Sequence, residues 1–247
     1  MVSPRRKKFL ILLMVFDAIV IGALVWFFVL RDDAPSEVDL DATRDAVNAS
    51  DSAGGGADAN VDGIAGVWNV DASIGDFTLE DDATASFAGF RIDEELSSLG
   101  AVTAVGRTPG VSGTVTIDDT TVIQAEITVD MTGIKSDEGR REGPIQRALA
   151  TAEHPTATFT LTQPVSLGGE ADAGEPVSVE ASGMLTVAGR SLPVTFALDA
   201  QLLADGVLVV GSTDVLLSDF GLTAPSAPVV VSVSDTATVE LQLWLTR

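Results

Sequence analysis

A chain of 247 residues is long enough for one large all-β domain plus appendages, and this one contains no Cys, no Tyr and a single His. Without Cys there is no disulfide scaffold, thiolate metal site, thiol catalysis or lipid attachment at Cys, and the usual general acid–base repertoire is thin. A formal net charge of -22 argues against nucleic acid, whose phosphates it would repel.

Arg5-Arg6-Lys7-Lys8 precedes an apolar segment, Phe9 to Leu30, whose only charge is Asp17. At about 1.5 Å per residue it reaches about 33 Å, enough for a hydrocarbon core of about 30 Å. A cleavable signal would have an apolar region of about 7–15 residues and a small-x-small end. Here the segment ends Trp26-Phe27-Phe28-Val29-Leu30 and is followed by Arg31-Asp32-Asp33. The pattern predicts a basic cytoplasmic segment at 1–8 and a single uncleaved transmembrane helix at 9–30, with everything after Leu30 outside the cytoplasm. The paired arginines before Phe9-Leu10 leave a twin-arginine export signal as a minor option, with the spacing off and the segment very hydrophobic for that route. Asp17 costs roughly 2.5–3.5 kcal/mol at the helix centre, which the surrounding Leu, Ile, Val and Phe outweigh, so it is read as tolerated.

From Arg31 to Ala65 the apolar periodicity disappears, Asp and Glu far outnumber Arg31 and Arg44, and Gly54-Gly55-Gly56 interrupts the run. Such composition predicts a flexible acidic linker at 31–65, with an end-to-end distance of roughly 30–35 Å. It lacks the spacing of a calcium loop and reads as a solvated spacer.

Period-2 alternation then predicts strands at Val67–Asp71, Asp76–Glu80, Thr84–Ile92, Val102–Thr108, Val111–Asp118 and Thr121–Met131. In the last of these Ile123, Ala125, Ile127, Val129 and Met131 share one face. Ser136 to Thr151 carries Ile145, Ala148 and Leu149 at helical spacing, and Gly143-Pro144 shortens that helix to Pro144–Ala150 at least. Strands resume at Thr156–Thr162. Val177–Val187 and Leu192–Leu202 alternate around Ala188-Gly189-Arg190-Ser191 and predict a hairpin. Val207–Leu216, Val229–Val233 and Thr236–Leu245 complete the set. Inward positions are apolar and outward ones Thr, Ser, Asp or Glu in nearly every strand, leaving no second dry face for another layer. The expectation is an all-β antiparallel barrel of about eight strands with one short helix over residues 66–247, its interior rich in Val, Ala and Gly and therefore roomy.

Several segments resemble the YceI-like family. They are Trp68-Asn69-Val70-Asp71, Val111 to Asp118, His154-Pro155-Thr156-Ala157-Thr158-Phe159, Ser182 to Val194 and Ser218-Asp219-Phe220-Gly221-Leu222, in that order along Gly66 to Arg247. The resemblance implies a lipocalin-like barrel of the bacterial envelope that binds polyisoprenoid or another amphiphilic lipid. Two departures stand out: Ser86–Ile92 lacks the His many members carry there, and an anchor replaces the cleavable leader.

Phe87, Ile123, Ile127, Val129, Phe159, Leu185, Val194, Phe196 and Leu198 are the expected cavity lining. Arg140 and Arg141 offer guanidinium forks for a phosphate head group, with Asp137 and Glu138 as competing partners. His154 has no second His or Cys with which to share a metal and reads as a turn residue. Asp219-Phe220-Gly221 matches a kinase tripeptide by chance, lacking its companion motifs, and reads as a turn. No nucleophile–base pair can be assembled, so no catalytic residue, metal or cofactor is expected. The expected function is binding of an isoprenoid or similar lipid by a membrane-tethered barrel. The alternative is an envelope interaction module with a side-chain-filled barrel, and the sequence leaves the oligomeric state, a homodimer included, open.

Overall fold

The computed structural model describes residues 34–51, 63–79, 84–97, 100–225 and 230–247. Twelve strands are present among them: β1 (Gly66–Val70), β2 (Phe87–Leu96), β3 (Gly100–Thr108), β4 (Val111–Asp118), β5 (Thr121–Asp130), β6 (Lys135–Ser136), β7 (Thr156–Leu161), β8 (Val165–Ser166), β9 (Val177–Val187), β10 (Arg190–Leu203), β11 (Gly206–Leu216) and β12 (Val230–Thr246). Three short helices accompany them, α1 (Leu40–Asp51), α2 (Glu142–Ala148) and α3 (Gly169–Asp172).

All pairings are antiparallel, and the sheet closes into a barrel of eight strand positions. β12 is the seam. One edge pairs with β11 from Val207↔Leu245 to Leu216↔Thr236. The other pairs with β2 and, at its C-terminal end, with β1 through Asn69↔Thr246 and Val70↔Leu245. β1 and β2 are thus two halves of one strand position, separated by residues 71–86. β4 and β3 share the next position, divided at Pro109-Gly110, since β4 pairs β1 while β3 pairs β2. β5 with β6, and β7 with β8, share positions in the same way, and β9 and β10 complete the circuit. The β9–β10 turn is tighter than the sequence suggests: Ala188 (φ 49°) and Gly189 (φ 74°) alone make it, with Arg190 already paired to Val187. Two positive φ angles match the twist of the flanking strands.

Several expectations are corrected. Asp76–Glu80 forms no strand among its described residues, and Val229–Val233 and Thr236–Leu245 merge into β12, whose pairing with β2 is irregular between Val233 and Ala237. The Ser136–Thr151 helix reduces to a 3₁₀ turn at Gly139–Arg141 and α2, as the glycines and Pro144 require. The predicted span at 9–30 lies outside the described residues, among which no helix is long and apolar enough to cross a membrane.

The acidic 31–65 linker is also corrected where it is described. Asp39 caps α1, its carboxylate accepting from Ala42 N at 2.8 Å. Leu40, Thr43 and Val47 then fall on one face, and Leu40 packs with Val38 and Val47 against Leu208, Val210 and Trp244 on the outside of the barrel. Thr43 Oγ1 donates to Gln242 Oε1 at 2.8 Å, and Gln242 Nε2 to Ala85 O at 3.0 Å. The barrel therefore has a second dry face, contrary to the strand pattern as first read. Val207-Leu208-Val209-Val210 is an unbroken apolar run, the mark of a strand buried on both sides.

Beside this patch lies a buried ion pair. Arg107 Nε donates to Glu240 Oε1 at 2.7 Å, with side chains 3% and 1% exposed. Arg107 on β3 reaches Glu240 on β12 by crossing β2 at Gly89, where a Cβ would come within 2.9 Å of Arg107 Cγ. The guanidinium stacks 4.6 Å over the Phe87 ring and donates from Nη2 to Ser36 O at 2.9 Å. Arg91 Nη1 donates to Pro35 O at 2.7 Å and stands 3.8 Å from Glu240 Oε2. Truncating one partner strands a buried charge, so Arg107→Ala is expected to cost about 3–5 kcal/mol in urea unfolding of the full chain. The double change Arg107→Met with Glu240→Leu is expected to cost clearly less than the single one; equal losses would show that the pair's charge is not what the site tolerates poorly.

Candidate functional site

Inward side chains of the eight positions enclose two cavities, stacked along the barrel axis. The upper one has a volume of about 810 Å³ and the lower about 110 Å³. Small residues make the upper space: Ala88, Ala104, Ala157 and Ala237 face it, where larger chains would fill a barrel of this size. Phe90, Met131, Ile134, Leu185 and Val239 give it an apolar wall. Below, the Val, Leu and Ile side chains of β4, β5 and β9 to β12 leave only the smaller void. The lower end is plugged by Ile64 and Ala171 of α3, tied together where Ile64 N donates to Asp172 Oδ1 at 2.8 Å.

The upper cavity reaches the surface at a rim made by the β2–β3 end, the 137–149 segment and the 217–225 loop. Phe220 is buried in that loop and lines the cavity, while Gly221 (φ 69°) turns the chain. Rim charges are largely matched. Arg141 Nη1 donates to Asp137 Oδ2 at 2.8 Å, and its Nη2 lies 3.3 Å from Glu94 Oε2. Asp137 Oδ1 also accepts from Ser136 Oγ at 2.9 Å and Val105 N at 3.2 Å, which ties the 137–141 segment to β3. Arg140 is 93% exposed, its one ion pair among the described residues being with Glu138 at 3.4 Å. Both arginines line the mouth, but Arg141 is held by two carboxylates and Arg140 by one.

The expected lining residues separate into groups. Val129 and Leu185 line the upper cavity, Leu198 the lower, and Ile127, Phe159 and Phe196 border both. Val194 shares the inward register of Phe196 yet lines neither. Ile123 is 51% exposed, because a bulge pairs Thr116 with Gln124 and Ile117 with Val122, putting Val122 inside in its place. Phe87 is buried outside the lumen, under Arg107 and edge-on to Phe77. Phe90, three residues on, takes the lumen position. The hydrophobic stretch of β2 signalled burial without saying on which side, and the rim contributions of Glu94 and Phe220 gave no periodic signal at all. His154 sits against Gly189 in the β9–β10 turn. Among the described residues no group of three or more His, Cys, Asp or Glu is placed to hold a metal.

Residues 79–245 match the YceI-like domain. The chain belongs to the YceI-like family. Among solved structures it is similar to a polyisoprenoid binding domain from Saccharophagus degradans implicated in plant cell wall breakdown, with 21% identity, TM-score 0.53, 72% of this chain covered and 97% of that one. It is also similar to BcnA of Burkholderia cenocepacia, at 14% identity and TM-score 0.50, covering 65% of this chain and 96% of that one. At these identities the likeness is one of fold. Nothing among curated proteins matches. In this YceI-like barrel the match begins at residue 79, so α1 lies outside the matched residues while Leu208, Val210 and Trp244, on which it packs, lie within them.

The lip below the mouth is set by Asp130, which closes β5 and caps the 3₁₀ turn Met131–Gly133 that carries buried Met131 to the cavity wall. Its carboxyl lies below the ordinary value of 3.8, because Thr132 Oγ1 donates to it at 2.6 Å and Thr132 N at 2.8 Å. A lowered native pKa means the capped turn is favoured above pH 3.8, and the advantage is lost as pH falls through the native value. Thr132→Val is expected to raise the Asp130 titration midpoint toward 3.8 in an NMR pH series; an unmoved midpoint would leave the hydroxyl without a role.

Proposed function

We propose that this protein binds an isoprenoid or another amphiphilic lipid in the lumen of its barrel, on the outer side of a membrane to which residues 9–30 tether it. The observation that carries the reading is the largely apolar cavity of about 810 Å³, whose other charged lining residues besides the buried, Arg107-paired Glu240 lie at its rim. That volume falls within the roughly 300–1,000 Å³ range of pockets that enclose small organic ligands. The structural neighbour described as a polyisoprenoid binding domain points the same way. Open space of this size weighs against the alternative of an interaction module with a filled barrel.

Burial is the mechanism. Covering about 300 Å² of tail at about 25 cal/mol per Å² is worth about 7–8 kcal/mol gross, from which association costs of at least about 4 kcal/mol are subtracted. That leaves at most about 3–4 kcal/mol from such a tail, so micromolar binding, about 8 kcal/mol, calls for about 4–5 kcal/mol more from additional buried tail and from polar contacts at the rim, where Arg140 is exposed beside Glu138. The reading assigns the protein no catalytic step.

The segment from Ala34 through α1, a strap docked on the outside of the barrel, shortens the tether. If the span ends at Leu30, the five residues from Arg31 to Pro35 reach at most about 18 Å before Pro35 O meets Arg91. The strap passes Glu240 first and Trp244 afterwards, moving away from the mouth, so the chain arrives from the mouth side. On this reading the opening is held toward the bilayer that supplies the ligand.

Full-length protein purified from its membrane and extracted with organic solvent is expected to yield a tail-bearing lipid at up to one per chain, identified by mass spectrometry. Val239→Trp, which puts an indole into the upper cavity, is expected to abolish that yield while the protein remains folded by circular dichroism. No extractable lipid from wild type, or an unchanged yield from the variant, would sink the reading.

A further inference from the structure

The two cavities share four lining residues, Ile127, Phe159, Phe196 and Leu241, so what separates them is a layer one side chain thick. At its centre the Phe159 and Phe196 rings meet edge to face, with centroids 5.3 Å apart and planes at 82°. This geometry is favourable beyond the area the rings bury. Phe159 lies over Gly183, where a Cβ would fall 2.4 Å from its Cε2 and Cζ atoms. The ring thus has a seat built by the absence of a side chain, and Phe196 on β10 closes it from the other side. Below the pair the walls remain apolar, Val115, Val179 and Ala200 among them, and no described residue occupies the void.

We propose that Phe159 and Phe196 form a floor that fixes the length of tail the barrel accepts, and that the lower chamber is reserve volume beyond it. The inference rests on the lipid-binding reading and adds the selectivity of that site. A tail entering from the rim runs down the upper chamber until its end meets the two rings. Longer tails leave methylenes outside in water, while shorter ones leave apolar wall uncovered. The chemical class selected is therefore a linear apolar chain of limited length, with the head left at the rim.

The test is native mass spectrometry of the full-length protein in detergent, offered a mixture of farnesol, geranylgeraniol and longer linear isoprenols, so that each bound alcohol is read by its mass. Wild type is expected to favour one length. Phe159→Ala is expected to shift the distribution to longer homologues, by about fourfold for each further methylene that becomes buried. Adding Ala200→Leu to that variant refills the lower chamber and is expected to reverse the shift, whereas Ala200→Leu alone leaves the wild-type distribution in place. Phe196→Leu serves as a second opening of the floor should Phe159→Ala fail to fold. An unchanged distribution in the floor variants, or a shortened one in Ala200→Leu alone, overturns the floor and leaves lipid binding standing. Wild type that takes up none of the alcohols, with lipid also absent from the purified protein, overturns both.

Discussion

Pairing along both edges of β12 is the constraint on which the rest depends. Its 17 residues meet β11 on one side and β2 then β1 on the other, and this double engagement turns an open meander into a closed sheet. Closure fixes which residues face each other. Val239, Leu241, Leu243 and Leu245 enter the lumen, while Gln242 and Trp244 leave it and the Glu240 carboxylate turns to Arg107. Eight positions give an interior just wide enough for side chains to fill, so the size of the inward residues decides whether it is full. In the lower half valine, leucine and isoleucine nearly complete the packing. In the upper half four alanines on four different strands do not.

The same strand carries a second, unrelated problem on its outer face. Glu240 and Trp244 cannot stand in water and remain buried as they are, so something must cover them. The strap from Ala34 through α1 does so with two kinds of contact. Leu40 covers the apolar part, and the Pro35 and Ser36 carbonyls accept from the arginines that flank Glu240. Those carbonyls matter because Glu240 accepts a hydrogen bond only from Arg107 Nε, its Oε2 having no hydrogen-bond partner among the described residues, so other guanidinium N–H groups of Arg91 and Arg107 are satisfied by the strap. A buried pair of this kind is poor at adding stability and good at rejecting wrong arrangements, since any misplacement leaves a charge alone. Here it ties the register of three strands to the position of the N-terminal segment.

Much of the barrel was legible because alternation survives wherever one face is wet and the other dry. The β9–β10 hairpin is the clearest case, its inward set in place from Val177 to Val187 and again at Phe196 and Leu198. Legibility failed at identifiable points. Ile123 obeys the alternation in sequence, but a bulge has no signature in a period-2 pattern, and one extra residue moved Val122 inside. Phe87 is buried and Phe90 partly buried, on opposite faces, and hydrophobicity alone carries no sign. Residues 34–51 were read by charge density, which hid the Asp39 cap and the Leu40, Thr43, Val47 stripe. The lumen candidates that depended on register with a neighbour, such as Val194, could not be placed until the neighbour was known. The rim was the least legible part, because Asp137, Arg141 and Glu94 come together only through the meeting of β3, the 137–141 segment and the end of β2.

Net charge adds a consequence for how such a barrel would work beside a membrane. At -22 the chain gains nothing from an anionic lipid surface and is pushed away from it. On the proposed reading, approach to the bilayer must therefore come from the covalent tether and from the strap that shortens it. Arg91 and Arg107 are committed to the strap and to Glu240 and do not serve as membrane contacts. This leaves the rim, where acidic groups neutralise Arg141 and only lightly engage Arg140. A lipid drawn into the lumen then meets an apolar channel first and Arg140 last, so the tail sets how deeply the lipid lies and the head how it is oriented.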